Sequence, residues 1–485
     1  MLPVSLPFLL HLIIATTLML RVLYRRLNVN TTLAWTVVLF ALPIAGAVLY
    51  LLFGNYRSNG HRRRRNHEIL SYYQAAFDLS ASAVPEVDGM PDRFLALANS
   101  VHQQTGFPVQ SGNAYSILTD PGDTLAKMRT DIDQSRSTCS IEFYIIDPRG
   151  RVEAVLEAIE RAAQRGVVCR ILADDFGSSV FFRSEWPQRL RTAGVTIVRS
   201  LPVNLMRSFS KRTDQRNHRK LLICDQETVY VGSFNLIDPT LFKTSSHVGQ
   251  WIDTMLRIEG PIVDALACQF NTDFLLDTHP LHIPVDPLQA LPYECPQRAP
   301  KSTETAMQVL PSGPEMRQSY IYDFIVSAIY NAQSRVRIIT PYFIPDQAIL
   351  LALKSAATRG VSVEIIVPEK VDTWLGQYAS QAAYDELLSA GITIQRYQKG
   401  LLHTKTILVD FQVCLFGTAN LDTRSLYLNL EISLLLYGER VNAELDALAD
   451  QYIANSRLLT ADAWSQRSAG TRFLENVLRL AAPLL

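Results

Sequence analysis

His218-Arg219-Lys220-Leu-Leu-Ile-Cys-Asp225-Gln-Glu-Thr-Val-Tyr-Val-Gly232-Ser233-Phe234-Asn235 is repeated in pattern by His403-Thr404-Lys405-Thr-Ile-Leu-Val-Asp410-Phe-Gln-Val-Cys-Leu-Phe-Gly417-Thr418-Ala419-Asn420. Both stretches obey one formula, H-x-K-x4-D-x6-G-[ST]-x-N. At roughly 1 in 20 per fixed position, a single chance match in such a chain is on the order of 10⁻⁵. Each stretch reads as two short apolar strands joined by a turn. His and Lys two residues apart on a strand share one face. The Gly-Ser/Thr-x-Asn turn returns a hydroxyl, an amide and backbone N–H groups to that face, and all of these donors suit phosphate oxygens. Two such faces meeting across a pseudo-twofold axis would surround one phosphate with two His and two Lys.

The repetition extends outward from the motifs. Ser140-Ile-Glu-Phe-Tyr-Ile-Ile146 and Arg337-Ile-Ile-Thr-Pro-Tyr-Phe-Ile344 read as buried strands. Helix-period stretches follow at 152–165 and 347–359, each ending in Arg-Gly (Arg165-Gly166, Arg359-Gly360), a helix stop. Further strands follow, then Ala193-Gly-Val-Thr-Ile-Val-Arg199 and Ala390-Gly-Ile-Thr-Ile-Gln-Arg396. Strands alternating with helices predict an α/β sandwich in each half. The offset between the halves shrinks between the Ala-Gly pair and the motif, which gives the first half a longer loop around 200–214. The segment 80–92 reads as a linker, and six Pro break the chain again within 277–301.

Residues 1–67 carry eight Arg and no acid, although the whole chain balances 46 Lys+Arg against 46 Asp+Glu. The body is therefore mildly acidic, which disfavours a basic-groove nuclease or other nucleic-acid binder. The hydrophobic content of 48% with 19% charged residues excludes a disordered chain. Two apolar stretches, about 2–23 (uncharged from Leu2 to Leu20) and 31–53, predict a membrane hairpin with Trp35 and Tyr50 near interfaces; Pro43 and Gly46 leave a re-entrant form open for the second. Arg57 and Arg62 to Arg65 outnumber Arg21, Arg25 and Arg26, placing the body on the cytoplasmic side with the Arg run against anionic headgroups. The expected organisation is a hairpin at 1–56, a basic segment and linker at 57–104, a first domain at 105–276, a Pro-rich linker at 277–301 and a second domain at 302–485. The six Cys show no C-x-x-C spacing and read as buried thiols. No further His/Asp/Glu cluster has metal-ligand spacing, so neither metal nor cofactor is expected. The remaining His read as bland, with His247 the first exception to examine. Arg472–Leu485 has helical apolar spacing, suited to packing on the body or docking on a membrane.

The twin motifs identify the chain as similar to the phospholipase D superfamily. Gly249-Gln-Trp-Ile-Asp253, Asn420-Leu-Asp-Thr-Arg-Ser-Leu426 with Asn429 and Glu431, and the N-terminal hairpin resemble those of bacterial cardiolipin synthases. That resemblance implies two tandem phospholipase D-type α/β domains behind a transmembrane hairpin in the bacterial inner membrane. It implies metal-free transfer between two phosphatidylglycerols, releasing glycerol. His218 would be the nucleophile and His403 the acid/base, with the near-symmetry of the motifs leaving the reverse open. Lys220, Lys405, Ser233, Asn235, Thr418 and Asn420 would hold the phosphate. Asp253 and Glu431 would orient the rings, Asp253 expected beside His218 and Glu431 beside His403. Asp225 and Asp410 belong to the catalytic motif by pattern, yet their seven-residue distance from the His reads as structural. Hydrolytic phospholipase D action, or phosphatidylethanolamine as donor, fits the same motifs; intact His and Lys in both halves argue against an inert scaffold.

Overall fold

The computed structural model describes residues 6–25, 29–54, 60–76, 90–202, 214–278, 305–316 and 319–473. Most of the 277–301 linker, the core of the 80–92 linker, the longer loop of the first half, Arg57, Cys295 and the C-terminal stretch beyond 473 lie outside the described residues.

The first half supplies β1 (Gln110–Leu118), β2 (Thr138–Phe143), β3 (Val168–Asp174), β4 (Thr196–Ser200), β5 (Lys220–Cys224), β6 (Thr228–Gly232), β7 (Trp251–Ile252) and β8 (Met255–Glu259). The second supplies β9 (Thr305–Ser312), β10 (Arg335–Ile339), β11 (Ser362–Pro368), β12 (Thr393–Tyr397), β13 (Leu401–Leu402), β14 (Thr406–Val409), β15 (Val413–Gly417), β16 (Glu431–Tyr437) and β17 (Ser456–Leu459). All but β7 and β13 join one sheet, in the order β17-β12-β11-β10-β14-β15-β16-β9-β1-β8-β6-β5-β2-β3-β4. Read from the β1–β9 seam, seven strands of each arm correspond in order, which is the pseudo-twofold expected from the repeat, and the second arm adds β17 at its edge. The strands are apolar on both faces because helices cover both sides. One core cluster runs through the seam, joining Leu221 and Val231 to Cys414 and Leu434.

The helices form where the periodicity placed them. Val152–Gln164 buries Val152, Val155, Leu156, Ile159 and Ala162, one stripe of a 3.6-residue repeat. Asp346 caps Gln347–Thr358 by accepting from the Ile349 N–H at 3.1 Å. Gly166 and Gly360 follow the helix ends in the left-handed region, φ 93° and 86°, where a side chain would be strained. The helix Ile262–Thr278 is buried on nearly all sides and is the central packing post of the molecule.

Four expectations change. Within 57–104, expected as a basic segment and linker, the described residues form two docked helices. Gly60–Ala76 contributes Ile69, Leu70 and Tyr73 to the core shared by the two halves, and Asp92–Thr105 contributes Phe94, Ala98 and Val101 to the core of the second half. The second apolar stretch is broken into Val29–Ala41 and Ala45–Phe53, because Pro43 lacks the N–H a continuous helix needs. Leu6–Tyr24 alone among the described helices is long and apolar enough to cross a membrane by length and composition. Trp35 and Tyr50 pack edge-to-face at 5.3 Å inside this helical cluster, with Ala15 and Leu39, so they hold the helices together. Two members of the Arg run have acidic partners: Arg62 donates to Asp277 at 2.6 Å and to Glu315, and Arg64, largely exposed, pairs with Glu68 at 2.8 Å.

The five described Cys are free and buried. His247 is exposed, in the left-handed region after a short 3-10 turn.

Candidate active site

The sheet delivers both motifs to one edge. β2, β3 and β4 run parallel and end at Phe143, Asp174 and Ser200; β5 runs antiparallel and begins there, with Phe143 opposite Lys220. In the second half Ile339 lies opposite Thr406, so His403 and Lys405 enter from the equivalent end. Each histidine segment is then pinned to the other half. The His218 N–H donates to the Leu430 carbonyl at 2.9 Å, and the His403 N–H to the Ile252 carbonyl at 2.8 Å. β7 and β13 pair parallel for the same reason.

These cross-pairings carry each carboxylate to the opposite half. His218 Nδ1 meets Glu431 Oε2 at 2.8 Å, and His403 Nδ1 meets Asp253 Oδ1 at 2.6 Å. The expected partners are thus exchanged. Asp253 and Glu431 are equivalent along their own halves, since Gly232 pairs Met255 and Gly417 pairs Ser433. Spacing along the chain could not reveal that the acids reach across the twofold.

Both acids are fully buried. Burial pushes each carboxyl up, but His218 and Lys220 hold Glu431 below the usual range, and His403 and Lys405 do so for Asp253. An ionised carboxylate only accepts, so each ring carries its proton on Nδ1 and presents Nε2 as a lone pair. Burial, with Lys220 and Lys405 nearby, outweighs the acids and lowers both imidazoles to about 4. Both are neutral at pH 7 before substrate arrives. Burial also lowers Lys220 to about 8 and takes Lys405 well below the ordinary ammonium range. Each Nζ donates to the carbonyl of its own histidine.

The turns complete the set. Thr418 Oγ1 donates to Glu431 Oε2 at 2.6 Å, and Ser233 Oγ accepts from the Thr254 N–H at 3.0 Å. Asn235 Oδ1 accepts from the Ile145 N–H at 3.2 Å while its buried Nδ2 has no acceptor among the described residues. Asn420 Nδ2 donates to Asp422 at 3.2 Å.

Asp225 and Asp410 lie at the far ends of β5 and β14, away from the histidines. Asp225 accepts from the backbone N–H groups of Arg136, Ser137 and Thr138, and Asp410 from those of Gln333, Ser334 and Arg335. They tie a hairpin turn to the entry of the neighbouring strand, so they stand apart from the catalytic group in which the motif pattern counts them.

Other side chains join the site without a role in the sequence reading. Tyr144 sets its ring edge-on to His218 at 5.0 Å, and Trp251 lies 4.3 Å from His403. Tyr342 donates to Asp372, which also pairs with Lys243 of the first half at 2.8 Å. By the sheet register Tyr144 corresponds to Pro341 and Tyr342 to Ile145, so the two tyrosines stand one place apart and the repeat did not single them out. Among the described residues no group of three His, Cys, Asp or Glu is arranged to hold a metal.

A buried pair of neutral imidazoles, each backed by a carboxylate and flanked by a lysine, is the phospholipase D type of phosphoryl-transfer site. The sequence profile described as "Cardiolipin synthase, PLD-like domain" matches residues 128–274 and 325–453, and "Phospholipase_D-nuclease N-terminal" matches 13–55. The chain is 38% identical over 477 residues to cardiolipin synthase A of Pectobacterium atrosepticum, covering 96% of this chain and 95% of that one. It is 37% identical over 468 residues to cardiolipin synthase A of Erwinia tasmaniensis, at the same coverage. The crystal structure of phosphatidylserine synthase from Haemophilus influenzae superposes with a TM-score of 0.61 at 16% identity, over 80% of this chain and all of that one, a likeness of fold. The chain belongs to the cardiolipin synthase family of phospholipase D-like phosphatidyltransferases.

Proposed function

We propose that the chain makes cardiolipin by moving a phosphatidyl group from one phosphatidylglycerol to a hydroxyl of a second, releasing glycerol. The observation that carries this is the pair of buried Nε2 lone pairs, each ring fixed through Nδ1 by a carboxylate from the other half.

His218 Nε2 attacks phosphorus, and the bond from phosphorus to the headgroup glycerol oxygen breaks. His403, protonated at Nε2, gives its proton to that oxygen, and glycerol leaves. The second phosphatidylglycerol returns a proton to His403 as its hydroxyl oxygen attacks, and the P–N bond breaks. Glu431 and Asp253 keep each ring in the required tautomer. Lys220 and Lys405, with the Asn235 amide N–H, meet the charge on the non-bridging oxygens.

The proton on His403 arrives with the substrate. Glu431 and Asp253 lie beside Lys220 and Lys405 and offset their positive charge. A phosphodiester anion brings negative charge beside both rings and raises their affinity for a proton. One proton then serves departure of the first alcohol and entry of the second.

The apolar N-terminal helices favour a lipid alcohol over water as acceptor, by holding the site where lipid is concentrated. We read the chain as a membrane enzyme of the bacterial inner membrane, with the excess of Arg after the apolar stretches favouring a body on the cytoplasmic side. Purified full-length protein given phosphatidylglycerol vesicles should form cardiolipin and glycerol in equal amounts. Phosphatidic acid in place of cardiolipin would mark a hydrolase, and product formation only with added phosphatidylethanolamine would mark a different donor.

A further inference from the structure

Four large apolar side chains stand in solvent on the loops and short helices that follow strands at the catalytic edge. Phe176 and Val180 (63% and 49% exposed) follow β3, Leu241 (44%) follows β6 and Trp374 (67%) follows β11. Single exposed apolar residues are ordinary on a protein surface. These are ordered around one feature. β3 and β11 are equivalent strands of the two arms, so the pseudo-twofold sets Phe176 on one side of the histidine pair and Trp374 on the other.

Contacts tie each loop to the site. The Arg216 guanidinium covers the Phe176 ring at 5.1 Å, and Gly177 packs on Tyr144, the ring beside His218. Lys243, two residues after Leu241, reaches Asp372, two residues before Trp374. Lys370 beside that loop is exposed. Aromatic rings flanked by Lys or Arg make up the composition that settles at a bilayer interface.

The N-terminal helices fix which way this edge faces. Arg62, near the start of Gly60–Ala76, donates to Asp277 at 2.6 Å, and Asp277 accepts from Ser200 Oγ at 2.6 Å. Ser200 ends β4, so the clasp sits at the same end of the sheet as His218. The chain therefore enters the body from its apolar helices on the side where the catalytic site lies.

We propose that the catalytic edge docks directly on the bilayer, with Phe176, Val180, Leu241 and Trp374 inserted among the lipids as a rim around the site. The occupant is a phospholipid surface, and the proposal rests on the phosphatidyl-transfer reading of that site. Lipid headgroups then reach the histidines without leaving the membrane.

The test uses the full chain in phosphatidylglycerol vesicles, with an environment-sensitive fluorophore on an introduced thiol. Phe176→Cys and Trp374→Cys report the rim, and Glu227→Cys reports the exposed turn between β5 and β6 at the opposite end of the sheet; the unsubstituted chain gives the background. The rim probes should shift to the blue and be quenched by lipids carrying a nitroxide on the acyl chain, while the Glu227→Cys probe stays water-like. Rim probes as wet as the Glu227→Cys probe would overturn the proposal. As a second readout, Phe176→Ser with Trp374→Ser should lower the ratio of turnover on vesicles to turnover on monomeric short-chain phosphatidylglycerol on the order of tenfold, since two inserted rings are lost. An unchanged ratio would also overturn it. Buried rim probes on a chain that makes no cardiolipin would instead sink the functional reading and leave the docking surface standing.

Discussion

His218 and Glu431 lie 213 residues apart in sequence and meet at 2.8 Å, Nδ1 to Oε2, across the seam between the two halves. His403 and Asp253 repeat the contact in the opposite sense at 2.6 Å. Neither half holds a complete site, because each lends its acid to the other's imidazole.

This exchange predicts which pairs couple. In a double-mutant cycle on thermal stability, His218→Ala with Glu431→Gln should show a coupling of at least about 0.5 kcal/mol, as contacting residues do. His218→Ala with Asp253→Asn should add nearly independently. Strong coupling in the second cycle and none in the first would restore pairing within each half.

Each histidine is needed for turnover. His218→Ala and His403→Ala should each lose at least about 10²-fold in rate, the scale of a positioned nucleophile or acid. The check is cardiolipin formed per folded protein. Near-normal synthesis by either variant would end the shared-site mechanism.

Acid weakens the fold through these same rings. Both imidazoles are lowered to about 4 in the folded chain, against about 6.5 unfolded, so between those values the unfolded state holds more protons. Their contribution to stability is present above pH 6.5 and is lost as pH falls toward 4. Asp174, raised by burial to about 6, binds its proton earlier in the folded state and works in the other direction. Comparison with His218→Asn therefore isolates the ring: the native chain should lose more melting temperature than the variant between pH 7 and 5. Parallel curves would contradict the buried neutral imidazole. At the alkaline side, rate should fall as Lys220 loses its proton through about 8.

Arg62 is a structural clasp before it is a headgroup contact. Arg62→Gln leaves Asp277 and Glu315 without their guanidinium and should lower stability by about 1–3 kcal/mol, reduced from the fully buried case by its partial exposure. Deleting residues 1–56 keeps the clasp and should leave a folded body that binds anionic vesicles in a salt-sensitive way. Denaturant melts of the two proteins check this. A melt of Arg62→Gln that overlays the native curve would remove the clasp.

Much of this was legible in the chain. The repeat and the 3.6-residue stripes set the two α/β arms, and the motif set the His, Lys, Ser/Thr and Asn cluster. Three things were not. The crossing of Glu431 and Asp253 depends on how the arms meet at the β1–β9 seam, which no local pattern encodes. The helices at Gly60–Ala76 and Asp92–Thr105 looked like a linker because charge and turn residues near them masked the stripes of Ile69, Leu70 and Tyr73 and of Phe94, Ala98 and Val101. The break at Pro43 was visible, but the contact of Trp35 with Tyr50, which packs the two pieces together, was not.

Excess chelator should leave turnover on phosphatidylglycerol unchanged, since the proposed mechanism assigns the charge on the phosphate to Lys220, Lys405 and Asn235. Loss of activity restored by a divalent ion would require a different site.

The most direct test of transfer through His218 is to trap the phosphatidyl group on the enzyme. Full-length protein mixed with phosphatidylglycerol labelled at phosphorus, quenched in alkali within one turnover and digested, should carry label on the peptide holding His218. His403→Ala should accumulate or slow that species, and His218→Ala should carry none. Label on the His403 peptide, or turnover with no labelled histidine at any time, would contradict the mechanism.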